Sequence, residues 1–192
     1  MLKRSNHWQE LIRDQLRESA EVKLRISDTC REGILMAAEA IAHSLQGDGK
    51  LMLCGNGGSA ADSQHIATEL VSRLTADFPR PAIPAIALTT DTSCLTAIGN
   101  DYGFEHIFQR QVEALGRDGD VLMGISTSGN SENVIRAIKT AKERGITTIG
   151  LLGRRGGSLA SMVDLAIVVP SQDTQRIQEG HIAVGHIICD LV

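Results

Sequence analysis

Asp120-Val121-Leu122-Met123-Gly124-Ile125-Ser126-Thr127-Ser128-Gly129-Asn130-Ser131-Glu132-Asn133 passes from an apolar run, through a turn rich in hydroxyls, into a polar segment of helical periodicity. The run 120–125 predicts a buried strand, and 131–144 predicts an amphipathic helix. Strand, short turn and helix together form the unit from which parallel α/β sheets are built.

The same alternation continues on both sides. Strands are expected at Lys50–Cys54, Ala85–Leu88, Asp120–Ile125, Thr147–Leu152 and Leu165–Val169. Helices are expected near 59–74, 104–115, 131–144 and 156–162, with a last one from about 174 to the end. Upstream, Trp8, Leu11, Ile12 and Leu16 recur at helical spacing, as do Ile34, Ala37, Ala38, Ile41 and Leu45; Gly47-Asp48-Gly49 then stops the helix. The expected fold is α/β, a three-layer sandwich with a five-stranded, mostly parallel sheet flanked by helices and an N-terminal helical extension.

A chain of 192 residues fits one domain, 1–192, with an α/β core over 48–192. The helices of 1–47 have apolar faces with no strand partner, and the last helix is apolar almost all round (Ile182, Val184, Ile187, Ile188, Leu191). These faces predict oligomer contacts, with packing inside the monomer as the alternative. The last helix shows no capping signal at Val192, so a chain that continues a little further is expected.

Composition excludes several classes. A net charge of -4 gives no basic footprint, and 3% aromatic residues give few stacking platforms, so nucleic acid is not an expected partner. No apolar stretch approaches the roughly 18 residues of a membrane span. Met1 to Trp8 runs straight into charged residues without a signal core, so a cytoplasmic location is expected. Cys30, Cys54, Cys94 and Cys189 are scattered, which fits reduced thiols.

Ser126, Thr127, Ser128 and Ser131, with Gly124 and Gly129, gather hydroxyl and backbone N–H donors where a helix dipole begins, which makes a phosphate site. The turn holds no lysine or arginine, so hydroxyls and backbone would supply the grip. Ser128 or Ser131 alone could cap the helix, but a cap needs one hydroxyl rather than four.

A second glycine turn, Cys54-Gly55-Asn56-Gly57-Gly58-Ser59-Ala60, satisfies G-x-G-x-x-A through Gly55, Gly57 and Ala60. A dinucleotide site also needs an acid about 20 residues on, at a strand end. Asp77 has the spacing but precedes Phe78-Pro79-Arg80-Pro81, read as loop, so the context fails. Beyond this turn, His65 and Glu69 stand four apart and share a helix face, which suits a metal, a base with its orienting partner, or an ordinary surface pair. Gln178 and His186 are eight apart, roughly 12 Å along a helix, and His181 and His186 do not share a face. Spacing leaves the ligand set open.

Taken together these stretches resemble the sugar isomerase (SIS domain) family, and more closely its phosphoheptose isomerases. Ala97-Ile98-Gly99-Asn100-Asp101-Tyr102-Gly103 and Arg176-Ile177-Gln178-Glu179-Gly180-His181 add to the match, which covers nearly the whole chain. The resemblance implies conversion of D-sedoheptulose 7-phosphate to D-glycero-D-manno-heptose 7-phosphate, the opening step toward activated heptose for lipopolysaccharide core or other surface glycans. It also implies a homotetramer and one zinc per subunit, held by His65, Glu69, Gln178 and His186. Glu69 and His186 would be the acid–base pair. Ser126, Thr127, Ser128 and Ser131 would hold phosphate, and Asn56, Gly57, Gly58, Ser59, Asn100 and Asp101, with Glu69 and Gln178, would line the sugar. Gln175 stands where some members carry aspartate, which leaves Asp173 or Asp62 for that role. The rival reading is a non-catalytic adaptor of the same fold that binds a replication initiator; the intact serine turn and His186 favour the enzyme.

Overall fold

The computed structural model describes residues 2–75, 77 and 80–192. Phe78 and Pro79, read above as loop, lie outside the described residues. In chain order the elements are α1 (Leu2–Thr29), α2 (Arg31–Gln46), β1 (Leu51–Gly55), α3 (Gly58–Val71), β2 (Ala85–Ala87), α4 (Thr92–Asp101), α5 (Gln109–Leu115), β3 (Val121–Ser126), α6 (Glu132–Glu143), β4 (Thr147–Leu152), β5 (Leu165–Val168) and α7 (Thr174–Leu191).

The strands pair in the order β2-β1-β3-β4-β5, all parallel. β1 and β3 are buried along their whole length, the pattern of strands covered on both faces. Alternate side chains feed two cores. Leu51, Leu53, Met123 and Ile125 pack with α1, α2, α3 and α7, whereas Met52, Cys54 and Leu122 pack with α5 and α6 on the other face. The three-layer α/β expectation is met.

Two helices differ from expectation. The helix expected at 104–115 divides into a 3₁₀ turn at Phe104–His106 and the short α5. Ahead of it stands α4, which periodicity missed because none of its residues is buried and Ser, Thr, Gly and Asn are weak helix formers. Its start is set by Asp91, whose Oδ1 accepts from Cys94 N at 2.9 Å. The helix expected at 156–162 shrinks to a 3₁₀ turn at Leu159–Ser161, because Gly156 and Gly157 both adopt positive φ.

α7 packs on α3 and on the N-terminal helices. Gly185 permits this approach: a Cβ there would stand 2.6 Å from Ile66 Cδ1. The residue after it, His186, is thereby carried against α3. Trp8, Ile12, Leu16 and Leu24 on α1, Leu35 and Met36 on α2, and Ile187 and Leu191 on α7 remain exposed. Among the described residues no helix is long and apolar enough to cross a membrane.

Candidate active site

β1 has β2 on one side and β3 on the other, so the direction of winding reverses between β1 and β3. In open parallel sheets ligands bind at the carboxyl ends of strands beside such a reversal. The two turns singled out in the sequence stand at that point, after Gly55 and after Ser126, residues at the ends of adjacent strands.

The serine turn is organised by Ser126. Its buried Oγ accepts from Gly129 N at 3.1 Å and lies 3.0 Å from Ser131 Oγ and 3.5 Å from Ser128 Oγ. Ser128 Oγ in turn accepts from Asn130 N at 3.2 Å. Ser131 occupies the N-cap position of α6 yet makes no side-chain cap bond. The hydroxyls of Ser126, Ser128 and Ser131 converge on one another at the start of the helix, which the capping reading does not explain. Gly129 has φ 67°, and a Cβ there would run into the carbonyl oxygen of Gly156. The turn is therefore braced by the segment after β4, where Ser158 N and Oγ both donate to Asn130 Oδ1 at 2.9 Å. That segment also carries Arg154 and Arg155, both exposed. Sequence reasoning noted no cation within the turn and missed these two on the neighbouring loop.

The glycine turn opens α3 through Gly57 at φ 56°. Ser59 is buried beneath it and Gly58 faces the side chain of Gln178. Asp77 lies in a turn well before β2, so the dinucleotide context fails in the structure as well.

Further along α3 lie His65 and Glu69, and His186 of α7 meets them there. His65 Nε2 is 2.8 Å from His186 Nε2 and 3.2 Å from Glu69 Oε1, and the three ligand atoms lie within 4.8 Å of one another. Two imidazole nitrogens and a carboxylate oxygen form a donor set that suits a zinc-class ion. Gln178, two turns before His186, instead donates from Nε2 to Asp62 Oδ2 at 3.0 Å. Burial pushes the Asp62 carboxyl above its ordinary value, while the Gln178 amide and the nearby His65 pull it down. Asp62 therefore stands beside the cluster, bonded to Gln178 and close enough to His65 to feel its charge. Asp173 is engaged elsewhere, accepting from Gln175 N and Arg176 N as the N-cap of α7.

Arg80, on the loop that follows α3, donates to the carbonyl oxygens of Glu69 and Leu70 at 2.6 and 2.7 Å, closing the last turn of α3 behind Glu69. His181 is fully buried, with its Nε2 3.0 Å from Leu152 O; burial lowers its pKa to about 4, so it stays neutral and anchors α7. Asn100 and Asp101 bond each other at 2.8 Å at the exposed end of α4 and make no hydrogen bond to either turn. A cleft of about 500 Å³ beside the serine turn is lined by Asn56, Phe104, Ser131 and Arg136 among others.

This fold and site define a phosphosugar-handling α/β protein, and comparison with known proteins agrees: the SIS domain family model matches residues 15–153. The phosphoheptose isomerase of Geobacter sulfurreducens is 58% identical over 181 residues, covering 94% of this chain and 95% of its own. Solved phosphoheptose isomerases superpose closely. That of Neisseria gonorrhoeae has a TM-score of 0.89 at 50% identity, and that of Francisella tularensis 0.90 at 38%; each comparison covers 95% of this chain and 96% of the other. The chain belongs to the SIS domain family and, within it, to the phosphoheptose isomerases.

Proposed function

We propose that this chain isomerises D-sedoheptulose 7-phosphate to D-glycero-D-manno-heptose 7-phosphate, at the start of activated-heptose synthesis for lipopolysaccharide core or another surface glycan. It is an enzyme of the isomerase class, and the adaptor reading is set aside: phosphoheptose isomerases match this chain at 50–58% identity over nearly its whole length. The observations that carry the chemical reading are the convergence of His65, Glu69 and His186 and the clustered hydroxyls of Ser126, Ser128 and Ser131 where α6 begins.

Moving a carbonyl between C2 and C1 requires one proton to leave C1, one to arrive at C2, and a proton to change oxygen, by way of an enediol. Glu69 is assigned to the carbon and His186 to the oxygens, since a carboxylate and an imidazole each accept and return a proton. Both keep a spare atom for this work, because a carboxylate has two oxygens and an imidazole two nitrogens. Ser126, Thr127, Ser128 and Ser131 hold the phosphate at the far end of the substrate, and Asn56, Gly57, Gly58, Ser59, Asn100 and Asp101 line the sugar between. By helix rise, Gly58 and His65 stand roughly 10 Å apart along α3, a separation that suits a long sugar phosphate.

His65, Glu69 and His186 would hold one zinc ion, with Gln178 as a fourth ligand once released from Asp62. Bound there, zinc would polarise the substrate oxygens and stabilise negative charge. The exposed apolar residues of α1, α2 and α7 form the contacts of a homotetramer in the cytoplasm. Replacing Leu16 and Leu24 by glutamate should lower the mass measured by light scattering. The function itself is tested by incubating the protein with sedoheptulose 7-phosphate and following product by NMR, with and without a chelator. Absence of conversion by zinc-loaded protein would refute it.

A further inference from the structure

The two turns at the head of the sheet are joined by a direct side-chain link. Asn56 Nδ2 donates to Asn133 Oδ1 at 2.9 Å, and Asn133 Nδ2 donates back to Asn56 Oδ1 at 2.8 Å. The same Asn133 oxygen accepts from Val134 N at 3.0 Å. Asn133 is 3% exposed, and its amide is paired within the protein at both its oxygen and its nitrogen. Asn56 belongs to the glycine turn after β1, and Asn133 to the first turn of α6, two residues beyond Ser131. The carboxamide of Asn56 thus faces Asn133 with both its oxygen and a donor hydrogen.

We infer that Asn133 is a positioning residue: through its amide pair with Asn56 it fixes the spacing between the serine turn and the glycine turn, and so tunes the site to a ligand that spans both. The inference rests on the phosphosugar reading above. Buried polar groups satisfied in a reciprocal pair hold a single geometry, because every alternative leaves a donor or an acceptor unpaired. A ligand that touches only the serine turn is indifferent to that spacing. A sugar phosphate, with phosphate on one turn and hydroxyls on the other, depends on it.

The comparison is therefore between two ligands on the same variants. With Asn133→Ala, KM for sedoheptulose 7-phosphate should rise about tenfold while kcat stays within about threefold. The inhibition constant of inorganic phosphate should stay within about twofold, because the serine turn itself is intact. Asn56→Ala should raise KM at least as much, because it removes the same pair together with the sugar contact proposed for Asn56. The double variant should be no worse than Asn56→Ala alone, as expected if Asn133 acts through Asn56. Should Asn133→Ala not fold, Asn133→Ser, which keeps a polar group in that buried space but is too short to pair with Asn56, carries the comparison. An unchanged KM in variants of an active enzyme would overturn the inference and leave the functional reading standing. A phosphate inhibition constant that rises in parallel with KM would also overturn it, since that is damage to the serine turn. Wild-type protein without turnover would bring down the reading and the inference together.

Discussion

His65 and His186 face each other Nε2 to Nε2 at 2.8 Å, although 121 residues separate them in the chain. The contact exists because α7 lies close against α3 at Gly185, and it brings Glu69 Oε1 within 3.2 Å of His65 Nε2. Two ring nitrogens at this distance are within hydrogen-bonding reach, and with Glu69 they form the three-residue donor set proposed above to hold a metal.

Removal of either proposed proton carrier should abolish most of the chemistry without disturbing the fold. Glu69→Gln and His186→Ala should each lower kcat by roughly 10²–10⁴-fold. Steady-state kinetics beside circular dichroism checks this. Undiminished turnover in both variants removes them from the mechanism.

The metal assignment has a readout that does not depend on activity. Equilibrium dialysis against zinc should give about one ion per chain for the wild type and far less for His65→Ala, which removes one of three converging donors. Equal stoichiometry in the two proteins would place the metal elsewhere.

The serine turn should act on binding more than on turnover. Ser128→Ala removes a hydroxyl proposed to donate to a dianion, a class of bond worth about 1.5–3 kcal/mol, so KM should rise roughly 10- to 100-fold with kcat little changed. A loss confined to kcat would argue that the turn does not grip phosphate.

Acid stability should show the signature of His181. Its pKa is about 4 in the folded protein against an ordinary 6.5. The unfolded chain therefore binds a proton that the folded one refuses, and stability is complete above 6.5 and falls as the pH drops from 6.5 toward 4. The loss from this group reaches about 3 kcal/mol. His181→Gln should flatten the slope of urea-unfolding free energy against pH by about one proton over that window. Identical slopes would mean that the histidine is already protonated when folded.

The strands were legible because they are apolar on both faces, so even their short runs stand out from the amphipathic helices between them. Thr147–Leu152 was read to the residue. α4 was not legible, since a helix with no buried residue carries no apolar period. At the site, the serine turn could be read from its own residues, whereas the partnership of His186 with α3 depends on how α7 packs. Periodicity did show that Gln178 and His186 are far apart on their helix, and the structure gives them different partners, Asp62 and His65. Asn133 escaped notice because a polar residue in the first turn of a helix is ordinary. Its meaning comes only from Asn56, 77 residues away.

Proton transfer through an enediol can be followed in one NMR experiment in D2O, with sedoheptulose 7-phosphate as substrate and the zinc-loaded protein as catalyst. The expected result is an aldose heptose phosphate that carries deuterium at C2, formed by the wild type and not by Glu69→Gln. An aldose that stays free of solvent deuterium at C2 through repeated equilibration with the ketose, or equal conversion by Glu69→Gln, would contradict proton transfer by Glu69, because a carboxylate that keeps the proton through one turnover exchanges it with solvent over many.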